Sequence, residues 1–161
     1  MPSIWAVIGD ANMRKSSTIR ALTGVGNRSV GMHIWDVDFQ ARGIVGVFIC
    51  KAGLQELRIT AATFIQMINN YQQNNNFTDV MVALRYQNHG HDAQGQPLGN
   101  ADTYLSDFIN AGWIISGCAL LGAAAQGLAP MGFGTVVNIP HSNITPSNSN
   151  AAQLRMAWMI N

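Results

Sequence analysis

Charge is scarce in this sequence. Asp, Glu, Lys and Arg make up 11% of its 161 residues, against about 25% in typical soluble domains. Only two lysines occur, Lys15 and Lys51. Asn and Gln together number 25, more than the nine basic and eight acidic side chains combined. Such a surface is weakly protected from self-association, which points to a homo-oligomer subunit or a chain covered by a protein partner. An ordinary monomer rich in amides fits the composition equally well. The net charge of +1 gives no global reason for attraction to nucleic acid or to a membrane surface.

Cysteine is nearly absent. Cys50 and Cys118 both lie in apolar runs and lack the spacing of a metal site, so they read as buried thiols. No uninterrupted apolar stretch reaches the ~20 residues of a bilayer span. The N-terminus lacks a basic segment followed by an apolar one. A cytoplasmic protein is the expectation.

The positive charge that is present is concentrated. Residues 1–60 hold seven basic and four acidic groups, a net of +3, and the remainder nets −2. Inside that basic part, the apolar run Ile4-Trp5-Ala6-Val7-Ile8 is followed by Gly9-Asp10-Ala11-Asn12-Met13-Arg14-Lys15-Ser16-Ser17. A buried strand, a loop opening on Gly and a Lys-Ser-Ser helix start form a phosphate-binding loop: its backbone N–H groups and the helix N-terminus face an anion. The Walker A pattern is Gly, four residues, Gly, Lys, Ser or Thr. Every anchor is present except the second Gly, which is Arg14. In that pattern Lys15 reaches the outer phosphates and Ser16 meets Mg²⁺. A solvated turn is the plain alternative, but two cations at a helix N-terminus oppose the macrodipole. An anion between them removes that conflict.

Further along, strand patterns are expected near Ile4–Ile8, His33–Phe39, Ile44–Cys50, Val80–Tyr86, Trp113–Leu121 and Thr135–Ile139. Helices are expected at Ser16–Thr23, Thr60–Gln73, Ala101–Ala111 and Asn148–Met159, with Thr60 and Asn100 as N-caps and Gly24 and Gly112 as stops. The alternation predicts one three-layer α/β domain over residues 1–161, a mostly parallel six-stranded sheet with helices on both faces. Only four residues separate the second and third strands. They suit a hairpin, so one edge strand is antiparallel.

The motif and element order resemble a small G domain of the P-loop NTPase superfamily. Gly9 to Ser17 is similar to the Gly-x-x-Asn-x-Gly-Lys-Ser-Ser loop of translation- and ribosome-associated GTPases, and Ala21-Leu22-Thr23-Gly24 to their helix end. The resemblance implies that residues 9–17 hold ATP or GTP with Mg²⁺. It departs in three places. Cys50-Lys51-Ala52-Gly53-Leu54-Gln55-Glu56 stands where such a GTPase carries Asp-x-x-Gly-Gln, so Cys50 replaces a magnesium-linked Asp and Gln55 is displaced by one. No Asn-Lys-x-Asp guanine reader is present. Arg14 either widens the loop or lends its guanidinium to phosphate as a clamp.

Other residues bear on the same chemistry. Asp36 and Asp38 share a strand face and are candidates to hold Mg²⁺ with Ser16, or else solvent-facing acids that discourage edge pairing. Arg85, ending a strand, faces the crevice where open α/β sheets bind ligands. It can stabilise a phosphate beside Lys15 or pair with Asp79, Asp92 or Asp102. His89-Gly90-His91-Asp92 is loop-borne, lacks an obvious fourth ligand and reads as a lid or plain surface loop rather than a metal site. Pro140 to Asn148 either borders a nucleotide base or caps the last helix. Two functions follow as expectations: binding of a nucleoside triphosphate or similar phosphate ligand with Mg²⁺, extending to slow hydrolysis or sensing, or a non-enzymatic assembly or adaptor subunit on a degenerate P-loop fold. A small-molecule kinase is the weaker third class.

Overall fold

The computed structural model describes residues 1–26, 32–87, 90–128 and 134–161. The elements follow in the order β1 (Ser3–Ile8), α1 (Lys15–Thr23), β2 (Met32–Phe39), β3 (Gly43–Gly53), α2 (Ala61–Gln72), β4 (Asp79–Leu84), α3 (Ala101–Asn110), β5 (Ile114–Leu121), a 3₁₀ turn at Ala124–Gly127, β6 (Thr135–Ile139) and α4 (Ser147–Trp158). Six strands form one sheet ordered β2-β3-β4-β1-β5-β6. All neighbours are parallel except the β2–β3 hairpin. This is the expected mostly parallel sheet with one antiparallel edge strand.

Strand periodicity divides the core in two. Along β1, Ile4, Ala6 and Ile8 point to one face, with Phe64 and Ile68 of α2 and Tyr104 and Phe108 of α3. Trp5 and Val7 point to the other, with Ile19 and Leu22 of α1 and Leu154 and Trp158 of α4. Each fully buried Phe or Ile contributes about 1.5–3 kcal/mol of transfer free energy, so both faces are committed. Cys50 and Cys118 lie within the first cluster as free thiols. Burial pushes both up to about 12.

The helix ends behave largely as their residues dictate. Thr60 caps α2 by accepting from the Thr63 N–H at 3.1 Å. Gly24 ends α1 in the left-handed region, its N–H donating to Arg20 O. Gly112, φ +84°, follows α3. At the start of α3, Asn100 is the N-cap residue without a side-chain cap bond; the Thr103 N–H donates to the Asn100 carbonyl at 3.1 Å and to the Asp102 carboxylate at 2.8 Å. Among the described residues no helix is long and apolar enough to cross a membrane.

At the end of the sheet remote from the loop, Asp79 is fully buried at the first residue of β4. It accepts from Trp5 Nε1 at 2.7 Å, Thr78 Oγ1 at 2.8 Å, and Arg42 Nη1 and Nη2 at 2.9 and 2.7 Å. Arg42, in the hairpin turn, stacks 4.4 Å above the Phe39 ring. Burial alone would raise the Asp79 carboxyl, but the hydrogen bonds from Arg42, Trp5 and Thr78 outweigh it and hold the group below its ordinary value. A carboxyl lowered in the folded state contributes stability that is complete above pH ~4 and is lost as the pH falls below it. Asp79→Asn should cost about 2–3 kcal/mol in urea unfolding at neutral pH, below the range for fully buried pairs because Arg42 is partly exposed. The gap between parent and variant should close under acid conditions, and a gap unchanged by pH would contradict this account.

Candidate phosphate-binding site

The loop between β1 and α1 sits where the sheet's parallel strands end. Its entry is tight. A Cβ on Gly9 would come within 2.8 Å of Leu121 O on β5 and 3.0 Å of Met13 Cβ, so only glycine lets the chain pass. The Gly9 N–H donates to Leu84 O at 3.1 Å, and Asp10 Oδ1 accepts from the Gln87 N–H at 3.1 Å. The segment leaving β4 therefore runs alongside the loop.

Arg14 resolves the first departure from the motif. It occupies the N-cap of α1 at φ 64°, ψ 27°, in the left-handed region. Asn12 has φ 64° as well. The backbone thus keeps the conformation that a glycine would take, at a cost of roughly 1–2 kcal/mol for a residue with a Cβ. The Arg14 side chain turns toward the loop after β6, donating from Nε to Asn143 O at 3.1 Å. Ser142 Oγ donates to Met13 O at 3.0 Å. Two bonds thereby fasten residues 142–143 to the loop.

Lys15, Ser16 and Ser17 open α1 and line a cleft of about 350 Å³ with Ala11, Asn12, Met13 and Arg14. Lys51, Gly53, Glu56 and Arg85 close the other wall. Lys15 is 6% exposed. Its Nζ donates to Asp10 O at 2.9 Å and stands 3.8 Å from Glu56 Oε1. Burial lowers its affinity for the proton; Glu56 and Asp10 oppose that fall and Arg85 adds to it. Arg85 does reach the crevice at the end of β4, but its partner is none of the three aspartates considered. Its Nε meets Glu56 Oε1 at 3.2 Å.

Sequence reasoning missed two members of the site. Lys51 comes in through a β-bulge: Cys50 pairs with Val82 but Gly53 with Ala83, so Lys51 and Ala52 are extra on β3. A bulge re-aims side chains in this way. Glu56 lies on the turn after β3, where Leu57 N–H donates to Gly53 O and Ile59 N–H to Leu54 O. Its signal was the run Gln55-Glu56 beside the motif position, read for the wrong residue. Gln55 is buried and spent on structure: its Nε2 donates to Arg85 O at 3.1 Å and to Gly99 O at 3.4 Å, while its Oε1 accepts the Arg85 N–H at 3.0 Å.

The proposed metal group does not assemble. Asp36 pairs with Gly46 and Asp38 with Ile44, near the start of β3, while Val47 is level with Asp79 and Ser3. Ser16 lies beyond Ile8 at the opposite end. The offset from Ile8 is roughly 20–26 Å along the strands and about 14 Å across three strand spacings. Both aspartates are exposed and are corrected to acids on an edge strand. Among the described residues no group of three or more His, Cys, Asp or Glu gathers. His89 lies outside the described residues; Asp92 instead accepts from the Gln94 and Gln96 N–H groups of its own loop. Ser16, at the start of α1, lines the cleft apart from both aspartates.

A second cleft of about 370 Å³ adjoins the loop, lined by Asp10, Met13, Gly122, His141 and Asn143 among others. Pro140 is part of that lining as well. Comparison with family models, curated proteins and solved structures found no match to the chain, so the site's geometry carries the functional argument. Gln55→Ala should strip both partners from the Arg85 backbone and cost about 1–3 kcal/mol. Hydrogen exchange at the Arg85 amide is the readout, with protection falling well before global unfolding. Protection equal to the parent's would mean that the Gln55 amide holds nothing.

Proposed function

We propose that this chain binds the phosphate chain of a nucleoside triphosphate, ATP or GTP, with Mg²⁺ in the cleft beside residues 9–17. The observation that carries this reading is the left-handed Arg14 backbone, the conformation a glycine would take at the position where the motif's second glycine is missing. Among the described residues, four cations, Arg14, Lys15, Lys51 and Arg85, line the cleft against one carboxylate. Free N–H groups of the first helical turn add partial positive charge. Such a set suits a polyanion.

In this reading the N–H groups around Lys15, Ser16 and Ser17 cradle phosphate oxygens. Lys15 contacts the outer phosphates and Ser16 orients the metal, which neutralises phosphate charge when bound. Phosphoryl transfer is mostly positioning plus electrostatics, and Lys15 and Arg85 are the residues placed to stabilise charge that develops. Gln55 is not free to serve as the motif's water-holding Gln, because its amide is engaged on Arg85 and Gly99. Binding with slow hydrolysis or sensing is the form of the function that fits.

Replacing Lys15 by Ala should abolish binding of Mg-ATP and Mg-GTP in calorimetric titration. Unchanged affinity would remove the proposal. In the same titrations Arg14→Ala should weaken binding by roughly 1.5–3 kcal/mol if the guanidinium turns to phosphate, with Arg14→Gly losing less. A Gly variant tighter than the parent identifies Arg14 as an obstruction in a decayed site.

A second reading, a non-enzymatic assembly subunit, has its own support. Cys50 takes the place of a metal-linked acid and is a buried thiol. The β2–β3 hairpin leaves Ile34, Trp35 and Ile44 exposed on the sheet edge. Self-association through that edge should give a light-scattering mass above 17.4 kDa that falls on dilution, and Trp35→Lys should return it to the monomer value. A monomer at every concentration would count against the assembly role.

A further inference from the structure

We propose that Glu56 is a resident anion occupying the place of the outermost phosphate, so that a triphosphate must displace it and a diphosphate need not. The inference rests on the phosphate-site reading above and adds to it what selects the length of the phosphate chain.

Three observations carry it. Among the described residues, Glu56 is the single carboxylate lining a cleft that four cations share. Its Oε1 lies 3.8 Å from Lys15 Nζ and 3.2 Å from Arg85 Nε. A loop lysine of this kind is the one that reaches β- and γ-phosphates, so an oxygen already in its contact shell stands in the outer phosphate's volume. Second, Glu56 is on a turn, not within a strand, and its side chain is 37% exposed. It can rotate toward solvent without opening the core. Third, Lys15 Nζ is also held by the Asp10 carbonyl, and the Arg85 backbone by the Gln55 amide. Displacing Glu56 therefore leaves the ammonium in place and the base of the Arg85 side chain anchored, with its guanidinium released to phosphate oxygens.

The inner part of the ligand experiences no such competition. Phosphates nearer the N–H groups of residues 11–16 meet backbone donors and Ser16, and Glu56 touches neither. Competition is confined to the outer position, where it cancels part of what a third phosphate gains from Lys15 and Arg85.

Inorganic tripolyphosphate and pyrophosphate, each with Mg²⁺, separate the outer position from any nucleobase contribution. Isothermal titration of the parent, Glu56→Gln and Lys15→Ala reads the effect directly. Glu56→Gln keeps the shape and removes the charge. It should tighten tripolyphosphate by about fivefold, the scale of a partly exposed ion pair, with pyrophosphate nearly unchanged, while Lys15→Ala loses both anions. If the parent binds tripolyphosphate and Glu56→Gln binds it equally or more weakly, the resident-anion role is wrong and the site reading stands. Equal gains for both anions would also overturn it, since the competition would then not be at the outer phosphate. If no protein in the series binds either anion, the site reading falls and this inference falls with it.

Discussion

Lys15 is a cation held under cover at the positive end of a helix, and the surrounding architecture exists around that difficulty. Desolvation and the α1 dipole both disfavour its charge. What offsets them is assembled from three directions: the Asp10 carbonyl from within the loop, Glu56 from the turn after β3, and the close passage at Gly9 that holds the loop against β5. Glu56 and Asp10 each raise the ammonium's hold on its proton against the burial that lowers it. The cleft's chemistry is thus a property of the loop's path more than of any single side chain.

The two ends of the sheet divide the work. At the far end, Asp79 gathers Trp5, Thr78 and Arg42, tying β1, β4 and the hairpin turn at one buried point. At the near end, the same two strands deliver Gly9 and Arg85 side by side. A rigid base and a polar, cation-rich rim share β1 and β4 as common struts. Loops carrying binding groups on a stiff scaffold are the usual arrangement for α/β ligand sites.

Much of this was legible from residue order. Alternating apolar runs located all six strands and four helices, because both faces of a parallel sheet must be covered and the pattern records it. The short Gln40–Gly43 connection announced the antiparallel edge. Gly9, Lys15 and Ser16 were recognisable because a tight turn, a lone lysine and a helix start coincide. Strand order and register were not legible: pattern says that a segment is a strand, not which neighbour it takes. That is why Asp36 and Asp38 were drawn to Ser16, although register places them at the other end of the sheet. Lys51 was hidden by a bulge that no periodicity reveals. Glu56 was hidden because its position depends on a turn closed by backbone bonds, and those bonds are invisible in side-chain identities.

Strand order has a further consequence. With β4 lying between β3 and β1, the chain leaving β3 must cross the end of an intervening strand before Glu56 meets Lys15. Lys15 sits in a helix packed on the core and moves with the domain. Glu56 sits on a surface turn, where motions run on roughly the nanosecond to microsecond scale. The charge balance of the cleft is therefore composed of one slow member and one fast member. In the proposed site, an arriving anion would therefore meet a Glu56 side chain that changes position faster than the helix carrying Lys15.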